Sequence, residues 1–445
     1  MALASVCLGF FMILLDGSAL NVALQDVASD VHGSMAALQW VVNGYTIPLA
    51  SVLLTAGSAG DRWGVKRVFA ISLACFTLAS LLCSLAPGLD LLIAARIIQG
   101  IAAGGVLPTT LAIIANTYTD PLARGRAITA WGATGGVALI AGPIGGGLLT
   151  DLYGWRAIFA INVPIGVATH WLARHCIQES PRKKSARLDI PGQLAVIIAL
   201  STLVAYLIEG GTHGWTTPTQ LVTLAVGVIA VVGFIAIEYL SPCPMLPLRV
   251  FRRASFTASI CSGFFFQFAG YGSQFMFAVY LQQNWHLSAI ETGMYFVPFA
   301  ASWICGILFL NRRLVSCGPR LLLWTGSLIS FAGTLLLIPV ESQSTSPLFL
   351  AGTVVTGLGC GVFGPSLNGA ALMSIDAAYL GLGSGILNTV RQVGMAIGVA
   401  LLGTLIAKSD AVFGLRVGTV IISLCFFSIT VLSLRYIPSK ERSAD

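Results

Sequence analysis

The charged residues of this chain occur in short clusters, and apolar runs of about 20 residues separate the clusters. Only 9% of the 445 residues are charged and 56% are apolar, whereas soluble domains carry about 25% charged residues. A soluble protein of this length would need many more charges to cover its surface. An apolar run of about 20 residues spans a bilayer as an α-helix, which satisfies its own backbone hydrogen bonds. The sequence therefore predicts an all-α integral membrane protein.

Fourteen apolar runs are long enough to be transmembrane helices. They cover residues 4–24, 38–57, 68–87, 91–115, 127–150, 157–174, 190–210, 220–240, 257–281, 291–310, 321–340, 347–374, 383–406 and 414–436.

The distribution of Lys and Arg predicts the orientation of the chain. If both termini are cytoplasmic, nineteen of the 24 basic residues fall in the inner loops and the C-terminal tail, and three fall on the outer side. The other two, Arg96 and Arg391, lie within spans. We therefore expect a multi-pass protein of the cell membrane, such as a bacterial inner membrane, with cytoplasmic termini. The net charge of +7 then reflects loops that face anionic lipid, and it does not indicate a nucleic-acid partner.

The sequence carries no motif of a known type of catalytic site. The ten cysteines have no metal-ligand spacing and no CxxC pair, and the five histidines form no cluster. There is no P-loop and no GxSxG or HExxH motif. We therefore expect a protein that is not an enzyme and that needs no cofactor or metal.

A weak internal repeat relates the two halves of the chain. The stretch "LLIAARIIQGIAAGGVLP" (91–108) aligns with "LFLAGTVVTGLGCGVFGP" (348–365), with Gly100 over Gly357. Internal repeats with a site between them are typical of secondary transporters. The repeat predicts an N-terminal six-helix bundle (1–175), an inserted helix pair with its flanking loops (176–245), and a C-terminal six-helix bundle with a short tail (246–445).

Six motifs in order along the chain then point to one family. They are "LDGSALNVAL" (15–24), "GSAGDRWGVKR" (57–67), "RIIQG" (96–100), "GGVALIAGPIGGG" (135–147), "GWRAIFAINVPIG" (154–166) and "GILNTVRQVGMAIG" (385–398). With these motifs the chain resembles the major facilitator superfamily, in its fourteen-helix drug:proton antiporter branch. It departs from the family pattern at Ala59, where Leu is usual, and at Ser18-Ala19, where Thr-Ile is common. The resemblance implies a monomer that exports small organic compounds, as in multidrug efflux, in exchange for protons.

Asp16 is the most unusual residue of the first span, because an ionised carboxylate near the bilayer midplane costs about 3 kcal/mol. Burial disfavours the charged form and a nearby cation favours it, so a balanced carboxyl group can exchange a proton. The alternative is that Asp16 is permanently paired with an arginine and has only a structural role. The resemblance makes Arg96 the partner of this carboxylate; the alternative is an arginine that reaches the membrane surface. Glu209, near the outer end of its span, is a further proton-coupling candidate.

Two segments are candidates for a conformational gate. Gly142 and Gly146 form a small-residue stripe next to Pro143, which indicates either ordinary close packing or a bend that controls opening. The loop motif supplies Gly57, Asp61, Arg62, Gly64 and Arg67. Basic residues there follow from topology alone. We expect Asp61 at the N-terminus of the third helix, and the resemblance implies that it helps to latch the two halves together.

Polar and aromatic residues within spans are candidates for a substrate cavity. They are Asn21, Trp40, Asn43, Gln267, Tyr271, Gln274, Asn388 and Arg391. Aromatic rings with a few polar groups suit a lipophilic or cationic organic substrate, although aromatic side chains also face lipid. Two other functions remain open at this point: a dedicated exporter of one metabolite, siderophore or antibiotic, and a receptor or sensor that does not transport.

Overall fold

The computed structural model describes residues 1–179, 189–241, 245–246, 248–314, 317–341, 346–375, 380–408 and 410–439. The basic loop at 182–187, which contributes to the predicted orientation, lies outside the described residues. Within the described part the regular structure is entirely helical, and no β-strand occurs there.

Seven α-helices precede the undescribed loop at 180–188. They are α1 (Ala2–Asp30), α2 (Met35–Trp63), α3 (Val65–Ser84), α4 (Leu89–Thr117), α5 (Pro121–Tyr153), α6 (Ala157–Ala160) and α7 (Asn162–Cys176).

Nine α-helices follow that loop. They are α8 (Ile190–His213), α9 (Pro218–Leu240), α10 (Ala254–Asn284), α11 (Ala289–Cys305), α12 (Arg312–Leu314), α13 (Pro319–Leu335), α14 (Ser346–Met373), α15 (Leu380–Lys408) and α16 (Ala411–Tyr436). A short 3₁₀-helix (Leu248–Arg252) precedes α10, and a π-helical segment (Gly306–Asn311) joins α11 to α12.

Each of the fourteen predicted spans overlaps one of these helices or a helix pair. Within the described residues, ten helical segments are long and apolar enough to cross a membrane, and α2 is an eleventh if its two parts count as one span. The spans predicted at 157–174, 257–281 and 321–340 are not among them. Helices α7 and α13 are only 15 and 17 residues long, and α10 carries four glutamines. The count of fourteen therefore stays a prediction.

The chain divides into two compact units. Unit 1 comprises Met1–Leu203, Val222–Met245 and Ser288–Gly293, and unit 2 comprises Val204–Leu221, Leu246–Leu287 and Met294–Asp445. In unit 1, α1 packs against α4, α5 and α7, and α3 packs against α4 and α7. In unit 2, α10 packs against α14, α15 and α16, and α13 packs against α14 and α16. The same pairing scheme thus recurs in both units.

Helix α2 bends by 56° between Leu53 and Thr55. Gln193, on α8, lies at this bend: its amide nitrogen donates to the Ser51 carbonyl at 2.8 Å, and the Thr55 hydroxyl donates to its amide oxygen. A side chain that bonds the backbone in this way is a known cause of helix bending. Helix α8, the first helix of the predicted inserted pair, is therefore attached to α2 where α2 changes direction.

Candidate functional site: a buried carboxylate network

Three donors surround the Asp16 carboxylate, each from a different side chain of unit 1. Arg96 Nη1 lies 2.5 Å from Asp16 Oδ2, and the two side chains are each 1% exposed. Asp16 Oδ1 accepts hydrogen bonds from Gln99 Nε2 at 3.0 Å and from Asn162 Nδ2 at 2.8 Å. Because a carboxylate is an acceptor only, these donors meet its hydrogen-bonding needs away from water.

The Arg96 guanidinium has further partners besides Asp16. Its Nε donates to the Val41 carbonyl at 3.2 Å, and its Nη1 donates to Gln99 Oε1 at 2.6 Å. Its Cζ lies 4.2 Å from the ring centroid of Tyr45 and 5.6 Å from that of Phe159. Such contacts are cation–π interactions. Arg96 is thus directed into unit 1, and the alternative of an arginine that reaches the membrane surface is wrong.

Gln99 connects the ion pair to α3. Its Nε2 also donates to the Ser80 hydroxyl at 2.8 Å, and the Cys83 thiol lies 3.8 Å from its Oε1. The next residue, Gly100, explains how α4 can come so near to α2: a Cβ at this position would lie 2.2 Å from the Tyr45 carbonyl oxygen. Without a side chain there, α4 approaches α2 closely enough for Arg96 to lie over the Tyr45 ring.

Asn162, at the junction between α6 and α7, joins the network through its side chain. Helix α6 ends at Ala160 and α7 begins at Asn162. Pro164 has no backbone N–H to donate to the Ala160 carbonyl, which accounts for the break. The Asn162 side chain is buried, and its Oδ1 has no hydrogen-bond partner in the described part of the chain. Among the described residues its amide therefore bonds only to Asp16.

The structure thus brings together Asp16 and Arg96, and it adds three residues with no predicted role in coupling: Gln99, Asn162 and Ser80. Both interpretations of Asp16 predict this ion pair: a permanent structural pair and a carboxylate that exchanges a proton. Its role in coupling stays a prediction. Glu209, the third coupling candidate, lies in unit 2 with its side chain 31% exposed, and it pairs with His213 one turn later at 3.1 Å.

The predicted small-residue stripe of α5 forms the contact with α1. A Cβ at Gly142 would lie 1.9 Å from the Ser18 hydroxyl oxygen, and one at Gly146 would lie 2.8 Å from the Ala19 backbone. Pro143 is buried within the same helix. Ser18 and Ala19 follow Asp16 by less than one turn of α1, so the stripe packs beside the carboxylate network. Its role as a gate stays a prediction.

The loop motif between α2 and α3 differs from expectation at Asp61. Helix α2 continues to Trp63, so Asp61 lies in its last turn, and the predicted position at the N-terminus of α3 is wrong. Gly57, Arg62 and Arg67 are exposed. Arg62 lies over the ring of Trp63, with its Cζ 5.9 Å from the ring centroid.

Glu179, which follows α7 and was not predicted, anchors this loop inside unit 1. Its Oε1 accepts a hydrogen bond from the Lys66 backbone N–H at 3.1 Å. Gly64 has a positive φ of 98°, and a Cβ there would lie 2.5 Å from Glu179 Oε1. Glycine is therefore required by both the backbone conformation and the space.

The substrate-cavity candidates fall into two groups. In unit 1, Asn21 and Asn43 are buried and Trp40 is half-buried. Both amide atoms of Asn43 lack a hydrogen-bond partner in the described residues. In unit 2, Gln267 is 9% exposed on α10.

The other unit 2 candidates lie on α10 and α15 and are half-buried: Tyr271, Gln274, Asn388 and Arg391. The Asn388 amide donates to the Ser384 carbonyl of its own helix at 3.0 Å.

Comparison with known proteins agrees with this architecture. The sequence model of the Major Facilitator Superfamily matches residues 6–399 and 260–443. The chain is 34% identical over 405 residues to the "Methylenomycin A resistance protein" of Bacillus subtilis, covering 91% of this chain and 87% of that protein. It is 33% identical over 410 residues to the "Multidrug resistance protein Stp" of Mycobacterium tuberculosis, covering 92% and 76%.

The fold is also similar to that of the human organic anion transporter MFSD10 (TETRAN), with a TM-score of 0.67 and 15% sequence identity over 96% of this chain and 98% of that one. The sequence matches extend over most of the chain, and its helices are long and apolar. This chain therefore belongs to the Major Facilitator Superfamily and is a multi-pass membrane protein.

Proposed function

We propose that this protein is a proton-coupled exporter of small lipophilic organic compounds that works by alternating access. The observation that carries the proposal is the Asp16 carboxylate, buried in the middle of α1 and bonded by Arg96, Gln99 and Asn162. Ionisable residues at membrane depth are expensive and mark ion pathways and proton relays. The names of the two relatives, one a resistance protein for methylenomycin A and one for multiple drugs, support the export of drugs.

The network supports a specific coupling step. When Asp16 takes up a proton, it loses its charge and its attraction to Arg96. The guanidinium then keeps the Val41 carbonyl, the Gln99 amide oxygen and two ring faces, so it is not left without partners. The attraction between α1 and α4 is weaker when Asp16 is protonated. Helix α1 can then shift along the small-residue stripe of α5. A gradient of one pH unit supplies about 1.4 kcal/mol per proton to drive this cycle.

The distribution of basic residues supports the orientation in this proposal. Both termini face the cytoplasm, protons enter from outside, and the substrate leaves the cell. The protein acts as a monomer in the cell membrane, surrounded by lipid, and makes no covalent intermediate.

A second candidate keeps this mechanism and narrows the substrate to one compound, such as an antibiotic or another metabolite. The relative named for resistance to methylenomycin A alone favours this version. A panel of dyes and drugs tested in an efflux-deficient host separates the two. Resistance to many unrelated compounds supports multidrug export, and resistance to a single one supports the dedicated exporter.

The test of proton coupling is export in energised inverted membrane vesicles. Asp16→Asn should abolish export driven by a pH gradient and leave the protein folded in the membrane. Asp30→Asn is the matched control, because Asp30 lies on the same helix but pairs with Arg156 at 2.6 Å at an exposed position. Full pH-driven export by Asp16→Asn would exclude Asp16 as the proton carrier.

A further inference from the structure

Arg391 of unit 2 carries a charge at membrane depth, and it has no acidic partner among the residues that the structure describes. Its Nη1 lies 3.4 Å from Asn368 Oδ1, and its Cζ lies 5.4 Å from the ring centroid of Phe266. Tyr271 of α10 is a further neighbour. These neighbours are neutral, and no carboxylate pairs with Arg391 among the described residues. A guanidinium has five N–H donors, and one of them has a protein acceptor in the described part of the chain.

The position of Arg391 is fixed by close helix packing. A Cβ at Gly394 of α15 would lie 2.4 Å from the Phe264 carbonyl oxygen of α10, and one at Gly263 would lie 3.3 Å from Arg391 Cγ. The backbones of α10 and α15 therefore approach closely beside the arginine. Its aliphatic stem packs against α10, which directs the guanidinium to a defined place.

The side chains around Arg391 are neutral, and they are polar or aromatic. Asn368 is exposed, while Tyr271 and Arg391 are half-buried, so this face of unit 2 is accessible. Gln267 lies one turn before Tyr271 on α10 and shares its face. The Phe266 ring beside the guanidinium is itself only 2% exposed, and it contacts the half-buried ring of Trp303, at 5.6 Å between ring centroids. The face therefore combines one unbalanced positive charge with hydrogen-bonding groups and apolar rings.

We propose that Arg391 is the recognition site for an acidic group of the substrate, so that the exported compounds include lipophilic organic acids. A planar guanidinium binds a carboxylate through two parallel hydrogen bonds, and the half-buried rings of Tyr271 and Trp303 are available to an apolar body. This inference rests on the proposed export function, and it assigns an anionic preference to a face for which the sequence suggested lipophilic or cationic compounds. An unpaired cation at this depth repels a cationic group and attracts an anionic one.

The test measures binding of three matched probes to the purified full-length protein in nanodiscs of zwitterionic lipid: 1-naphthoate, the neutral 1-naphthamide and the cation 1-naphthylmethylammonium. The wild type should bind naphthoate about 10- to 100-fold more tightly than naphthamide, the range expected for hydrogen bonds to a charged group. Arg391→Met should remove this preference, and Arg391→Lys should retain part of it. Arg416→Gln, at an exposed arginine of the same unit that pairs with Glu341, should leave it unchanged.

The unfolding temperature is a second measurement, which distinguishes a role of Arg391 in ligand recognition from a structural role. Because Arg391 pairs with no acid in the described part of the chain, Arg391→Met should unfold at the same temperature as the wild type or a higher one when no ligand is present. Three results would overturn the inference: no preference for naphthoate in the wild type, an undiminished preference in Arg391→Met, or equal competition by chloride at the same concentration. Asp16→Asn should still bind naphthoate, so failure of proton coupling and failure of this site give different results.

Discussion

Arg96 of unit 1 and Arg391 of unit 2 both lie well inside an apolar helix, and their surroundings differ. Arg96 is buried and bonds Asp16, Gln99 and the Val41 carbonyl. Arg391 is half-buried and contacts only neutral groups in the described part of unit 2. A charge at membrane depth needs compensation, so the first arginine is satisfied within the protein and the second is open to a ligand. In our account, unit 1 couples to protons and unit 2 recognises the substrate.

The helix packing around the two repeats is nevertheless alike. Gly100 of α4 and its repeat counterpart Gly357 of α14 each face a backbone carbonyl: a Cβ would lie 2.2 Å from the Tyr45 oxygen and 2.4 Å from the Phe299 oxygen, respectively. Four residues earlier, Arg96 corresponds to Thr353, whose hydroxyl donates to the Leu350 carbonyl of its own helix at 2.9 Å. The close packing therefore does not require an arginine, which indicates that Arg96 serves another purpose.

The largest expected effect is on stability when each arginine is replaced by methionine. Arg96→Met leaves the Asp16 carboxylate buried without its cation and should cost about 3–5 kcal/mol. Arg391→Met removes an arginine that contacts no carboxylate among the described residues, and it should cost nothing. Unfolding in nanodiscs measures both. The double variant Asp16→Asn/Arg96→Met should regain most of the loss, and equal losses for the two single variants would remove the distinction between the arginines.

The repeat glycines should behave alike even though the arginines do not. Gly100→Ala and Gly357→Ala each force a methyl group against a neighbouring backbone and should each destabilise the protein by about 1–3 kcal/mol. Gly233→Ala on α9 is the control, since a Cβ there meets nothing within 4 Å. The same unfolding measurement applies. A loss confined to one of the two glycines would contradict a common packing scheme.

Asn162 offers a finer test of the coupling site. In the described part of the chain its amide bonds only to Asp16 and donates to the carboxylate, so Asn162→Leu should make proton uptake easier. The pH of half-maximal export should therefore rise, because the charged carboxylate loses a hydrogen-bond donor. Thr169→Val removes a buried hydroxyl from the same helix, away from Asp16, and should leave the profile in place. An unmoved profile in Asn162→Leu would show that this amide does not tune Asp16.

The smallest expected difference concerns two buried serines, Ser80 of α3 and Ser330 of α13. Ser80 accepts from the Gln99 amide, and Ser330 donates to the Thr356 carbonyl at 3.0 Å. Replacement of either by alanine should cost about 0.5–1.5 kcal/mol. Only Ser80→Ala should also alter the pH dependence of export, and by less than Asn162→Leu does, because only Ser80 is connected to Asp16. An equal effect of Ser330→Ala on the pH profile would argue against a coupling network confined to unit 1.

Part of this site could be predicted from the sequence because membrane composition makes a charge conspicuous. Asp16 and Arg96 interrupt apolar runs, and the spacing of Arg96 and Gln99 places them on one face of a helix. Asn162 could not be found in this way, because an asparagine near a helix start has ordinary explanations and its partner is 146 residues away. Its one distinguishing signal is Pro164, which predicts a helix break nearby.

The overall fold was more predictable than its details. Apolar runs predicted the positions of the helices, since a membrane leaves the backbone few alternatives. Asp61 was placed on the wrong helix because helix ends depend on local capping: Gly64, with its positive φ and its contact to Glu179, sets the boundary between α2 and α3. The bend of α2 at Gln193 depends on a contact between distant segments, which a linear pattern does not contain.

The central claim is that Asp16 exchanges a proton during transport. The most direct measurement is proton movement in proteoliposomes of purified protein when substrate is added, followed with a pH-sensitive dye. The wild type should move protons in the direction opposite to the substrate. Asp16→Asn should still exchange labelled for unlabelled substrate across the membrane but move no protons. Substrate-dependent proton movement that persists in Asp16→Asn would contradict the account.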